Sequence, residues 1–163
     1  MRNILSLLAA LAIVPFAAAA HADFVSSSDT GKKVSAMLMP AQVQFSYFNQ
    51  NSLNSCDYVQ GMTTEMLQAM GARNVKVQCT GGIPYDNGNF VTATFTTVHE
   101  AGTAKSTLLG VVSDVSLSAS ESCDLHRTIY MNVVKSFQVY AQNENDSCWN
   151  SEGRFEAHLQ VLK

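Results

Sequence analysis

The chain has 163 residues, 47% of them hydrophobic, with 10 Lys+Arg against 13 Asp+Glu and a formal net charge of −3. The basic residues are scattered, so neither a nucleic-acid backbone nor an anionic membrane surface is an expected partner. The length suits one domain with a core of its own.

In chain order, the first segment is MRNILSLLAALAIVPFAAAAHADF. One charge, Arg2, precedes an uncharged run from Ile4 to Ala20, and Ala20-His21-Ala22 is a small-residue cleavage signature. The run is too short and too rich in alanine for a permanent span. Residues 1–22 are therefore expected to be a cleaved signal peptide, leaving 23–163 as one α+β domain in the bacterial periplasm or outside the cell, without membrane insertion. The four cysteines, Cys56, Cys79, Cys123 and Cys148, all lie in that part. An even number in an oxidising compartment predicts two disulfides.

Lys32–Met39 reads as a short edge strand ended by Pro40. Gln42–Phe48 reads as the next strand. A helix follows, with Val59, Met62, Met66, Leu67 and Met70 spaced by three and four on one face. Asn54, Ser55 and Asp57 suit its start, and Gly71 suits a left-handed stop. Asn74–Cys79 and then Val91–Thr97, where Val91, Ala93, Phe95 and Thr97 share one face, read as strands. Between them lies a turn-rich loop carrying Tyr85, with Phe90 at its end.

The second half repeats this order. Ser-Cys-Asp recurs 67 residues later, at Cys123. A strand over about Thr107–Leu117 precedes it. The apolar helix stripe is then matched by His126, Ile129, Val133, Val134 and Phe137, with Tyr130 in the place of Thr63. A short strand at Gln138–Ala141 runs into a polar loop, Asn143–Asn150, that carries the only tryptophan, Trp149. A last strand places Phe155, Ala157, Leu159 and Val161 on one face and His158 on the other.

The pattern predicts an α+β fold. Two pseudo-repeated strand-helix-strand-strand units, about 41–98 and about 107–162, would form one mainly antiparallel sheet with two helices packed on one face. Four cysteines allow three pairings; the similar separations of 23 and 25 residues favour the local ones, Cys56–Cys79 and Cys123–Cys148, each tying a helix start to the strand after it.

No catalytic motif is assembled. There is no G-x-S-x-G elbow, no H-E-x-x-H helix and no phosphate loop. The leading expectation is a small exported, disulfide-stabilised, non-catalytic module. It would bind a protein or small-molecule ligand through aromatic loops, using Tyr85, Phe90 and Trp149 with His126 nearby, and would need no cofactor. A second reading is a copper or zinc binder using His126 with Met62 and Met66. A third is a small hydrolase or isomerase built on His126 or His158.

Overall fold

The computed structural model describes residues 25–48, 54–81, 88–103, 108–148 and 153–163. The expected signal segment, the loop residue Tyr85 and Trp149 lie outside the described residues.

Among the described residues six strands and two α-helices follow in the order β1 (Val25–Tyr47), α1 (Cys56–Ala69), β2 (Arg73–Thr80), β3 (Asn89–Glu100), β4 (Leu108–Ala119), α2 (Cys123–Val133), β5 (Val139–Asp146) and β6 (Phe155–Leu162). The fold class is α+β. The strands form one sheet in the order β2-β3-β1-β4-β6-β5, and all of its pairings are antiparallel.

β1 corrects the expectation of a short edge strand stopped by Pro40. It runs unbroken through the proline in the interior of the sheet. The reason is a change of partner. Residues 25–36 pair with β4, residues 36–47 pair with β3, and Ala36 alone faces both, opposite Glu100 and Leu108. The Ala101 amide donates to the Ser35 carbonyl at 3.0 Å, which makes the odd-numbered residues the hydrogen-bonded positions toward β3. The even-numbered residues then point their backbone groups at the opposite edge. Beyond Ala36 no described strand pairs with that edge, so the missing N–H of Pro40 interrupts no ladder.

A straight strand from Val25 to Tyr47 would span about 70 Å at the usual rise. Yet Leu117 lies opposite Val25, and Asp124, seven residues further on, accepts a hydrogen bond from Tyr47. Seven residues reach at most about 25 Å. β1 must therefore curl back strongly, and the sheet curls with it. The register shift between Asp29 and Lys33, with Gly31 at φ +78°, puts an irregularity where curvature is needed.

One apolar cluster collects Val59, Met66, Leu67 and Met70 from α1 and Leu125, Ile129, Tyr130 and Val133 from α2. Phe45, Phe95, Leu117 and Phe155 join it from four strands. The 3.6-residue stripes and two-residue alternations of the sequence meet here. α1 starts on Ser55, whose hydroxyl accepts from the Tyr58 amide at 3.2 Å. It stops at Gly71, φ +91°, with Gly71 N bonded to the Gln68 carbonyl and Ala72 N to the Leu67 carbonyl, a Schellman end. α2 differs. Its leading residue, Ser122, is left-handed at φ 49° and makes no side-chain cap.

β5 is a second correction. Asn143–Asp146, expected to be loop, continue the strand in register with β6. They are polar because β5 is an edge and exposed on both faces. Acidic side chains there also discourage pairing with another chain.

On the sheet face away from the main core, Ala36, Val98, Val112 and Leu162 form a second small cluster, with Tyr140 packed against it. Leu162 lies over Gly110, where an added Cβ would sit 2.8 Å from its Cδ1. The Tyr140 hydroxyl donates to Glu100, and the Lys32 ammonium lies 4.9 Å from its ring centre. Burial, then the bond to Glu100 and its charge, push the Tyr140 hydroxyl up to about 12.

Candidate recognition surface

The site is built from one end of the sheet. Cys56, the first residue of α1, is bonded to Cys79 near the end of β2. Cys123, the first residue of α2, is bonded to Cys148 just past β5. Tyr47, the last residue of β1, links these two helix starts. Its hydroxyl donates to Asp124 Oδ2 at 2.8 Å and accepts from Asn54 Nδ2 at 3.3 Å. Asn89, the first residue of β3, donates to the Asn54 carbonyl at 2.9 Å. Two disulfides and a chain of buried or half-buried polar contacts thus fasten both helix starts and two strand ends together. Closing loops of this length stabilises by about 3 kcal/mol each in the chain-entropy account.

Two exposed aromatic rings stand beside this fastened end. Phe48, next after Tyr47, is 58% exposed and Phe90, next after Asn89, is 60% exposed. Ser46 lies opposite Phe90 in the β1–β3 register. Phe90 therefore lies on the sheet face away from the main core, and Phe48 follows directly on Tyr47, the strand residue paired with Asn89. The chain passes closely here, since a Cβ on Gly88 would meet the Tyr47 carbonyl oxygen at 2.7 Å. Phe48 was not among the sequence candidates, although a signal existed. Tyr47 and Phe48 are adjacent in an alternating strand, so one of the two must point away from the core.

The other candidates fall as follows. His126 is buried in α2, with Nδ1 3.1 Å from the Ser122 carbonyl. Met66 is buried in the core, and Met62 packs against it. Among the described residues no group of three His, Cys, Asp or Glu is placed to hold a metal ion. His158 is exposed on β6, opposite Ser116 of β4, with Nδ1 2.7 Å from the serine hydroxyl. One row along, Gln160 donates to Asp114 at 2.9 Å. These four, with Asn143 and Ala141 of β5, line an open groove of about 360 Å³. The sequence placed His158 on a polar face but could not supply its partner, which only the β4–β6 register brings opposite.

Compared with known proteins, the chain matches no protein-family model, no curated protein and no solved structure.

Proposed function

We propose that the chain is an exported, non-catalytic recognition module that binds its ligand through the aromatic end beside the two disulfides. The observation that carries this reading is the pair of exposed rings, Phe48 and Phe90, on a strand end held by Tyr47, Asn89 and Asn54. Large rings on a rigid support bury much area at low entropic cost. Tyr85 and Trp149, whose loops follow Cys79 and Cys148 in the chain, would extend the surface. Export is supported by the signal-like first 22 residues and by the two disulfides. A duplicated origin is supported by the common order of strand, helix, strand and strand, and by matching pairings, β1-β3-β2 in one half and β4-β6-β5 in the other. In this reading both helices cover one face of the sheet.

The test has two readouts. Native protein titrated with an apolar fluorescent dye should bind it less in the Phe48→Ser/Phe90→Ser variant, with thermal unfolding unchanged. Glycan and peptide arrays should then give a ligand whose binding falls at least tenfold in the same variant. Undiminished binding by that variant overturns the assignment. Processing is checked separately, by a mature mass that begins at Asp23.

A second reading, a small hydrolase, is favoured by the Ser116–His158 pair beside Asp114 in an open groove. There Ser116 would be the nucleophile, His158 the base, and the Asn143 side-chain amide, which lines the same groove, a donor for an oxyanion. Stoichiometric labelling by a fluorophosphonate, absent in Ser116→Ala, is its expected result. No labelling of the native protein removes it.

A further inference from the structure

The outer faces of the two halves treat their polar side chains differently. On β4 and β6 the cross-strand side chains bond each other, Ser116 to His158 and Asp114 to Gln160, and Arg154 pairs with Glu156. On the outer face of β1, β3 and β2, among the described residues, such a bond occurs at the end far from the exposed rings, where Asn74 donates to Thr96 at 3.1 Å, and the rows between make none. The register sets two rows across three strands, Gln42–Thr94–Lys76 and Gln44–Thr92–Gln78. Among the described residues, the side chains of Gln42, Gln44, Thr92, Thr94 and Gln78 make no hydrogen bond within the protein. All five are exposed or half-exposed. Lys76 is the one charge in these rows, and the next step along the strands carries Phe90, with Phe48 beyond.

From this lattice we infer that the outer face of β1, β3 and β2 docks a neutral polysaccharide, with the aromatic end stacking on a terminal sugar. The inference rests on the recognition reading above and names its ligand. Charge chooses the class. A face with one ammonium among six lattice positions gives no purchase to a polyanion. Protein-binding patches place their apolar residues centrally, whereas here the rings stand at one end and the centre is hydroxyl and amide. Sugar hydroxyls both donate and accept. Thr hydroxyls and Gln amides do the same, so each can be satisfied without an unpaired charge. The C–H face of a sugar ring suits the π-face of a phenyl ring. Rows about 4.8 Å apart between strands and about 6.7 Å apart along them offer a repeating set of partners to a repeating polymer.

The test uses the full chain with cellulose, chitin and starch granules, in sedimentation assays at 0.1 M and 1 M NaCl. Retention on at least one polymer, undiminished at 1 M salt, is expected, since no ion pair carries it. Thr94→Glu/Gln44→Glu, which adds charge to the centre of the lattice, should weaken retention at least tenfold. Asn145→Ala, on the exposed edge strand β5 of the other half, should leave it unchanged. No retention on any of the three polymers, or retention indifferent to Thr94→Glu/Gln44→Glu, overturns the proposal. A peptide ligand lost on Phe48→Ser/Phe90→Ser but not on Thr94→Glu/Gln44→Glu would sink the glycan assignment and keep the recognition end.

Discussion

The two halves fasten their helices to the sheet with the same sulfur bond but fill the space beneath them differently. Under α1 the position facing the core is Thr63, whose hydroxyl turns back to the Val59 carbonyl at 2.7 Å. Under α2 stands Tyr130, fully buried, 5.3 Å from the Phe155 ring and bonded to Glu144 at 2.9 Å. Phe137, beyond α2, stacks on Phe95 of the first half at 5.8 Å. The second half thus carries the larger rings and lends one of them across. The same connectivity accepts unequal packing provided the total volume of a shared core is kept.

That inequality sets the order of expected effects. Tyr130→Ala should cost about 3–5 kcal/mol in chemical denaturation, because a large ring leaves a cavity and Glu144 keeps only the Gln142 amide of its two donors. Thr63→Val should cost under about 1 kcal/mol, since shape is kept and the Val59 carbonyl retains its helix bond. Equal losses at the two positions would break the comparison. Next come the sulfur bonds. Cys56→Ala/Cys79→Ala and Cys123→Ala/Cys148→Ala should each lower stability by about 3 kcal/mol, the closed loops being 23 and 25 residues apart in sequence. A much larger loss in one half would show that its cysteines hold packing as well as chain ends.

Alkaline titration separates the halves again. Burial first, then the hydrogen bond to Glu144 and its charge, raise the Tyr130 hydroxyl far above its ordinary 10.0. A raised value means that the folded protein keeps a proton which the unfolded chain releases. The stabilisation is complete below pH 10 and is lost as pH rises above it, by about 1 kcal/mol per pH unit for this group. Tyr140, raised to about 12, adds a smaller loss because it is more exposed. Tyr130→Phe should flatten the decline between pH 10 and 12, measured as denaturation midpoint against pH; an unchanged slope would disprove the link. The smallest effects come from two glycines. Gly71→Ala should cost about 1 kcal/mol, since its φ is +91° and the new Cβ meets the movable Lys163 side chain. Gly61→Ala, in α1 with open space around it, should gain about 0.5–1 kcal/mol.

Much of the fold was legible wherever one face of an element is buried. The stripe Val59, Met66, Leu67, Met70 and the alternation Phe155, Ala157, Leu159, Val161 report their periods directly, and all eight are buried. Legibility failed where burial gives no contrast. Asn143–Asp146 lie on an edge strand exposed on both sides, so their polar run resembles a loop. Pro40 seemed a stop because a sequence does not say which edge of a strand will face a neighbour; here its nitrogen faces the side that β4 has already left. The site was less legible than the fold. The exposure of Phe90 could be read from its place at a loop end, but that of Phe48 was hidden inside a strand pattern. The rows through Thr92 and Thr94, like the pairing of Ser116 with His158, exist only once register is set.

The partner switch at Ala36 also bears on the order of assembly. Residues 25–35 leave the synthesis machinery well before α1, yet the strand they need lies more than seventy residues downstream, as the Asp29–Ser113 bond illustrates. The first limb of β1 must therefore wait unpaired until residues 108–117 have emerged, and closing so long a loop is a slow step. In that interval its edge is open to other chains, so a holding chaperone would be needed most before the second half appears.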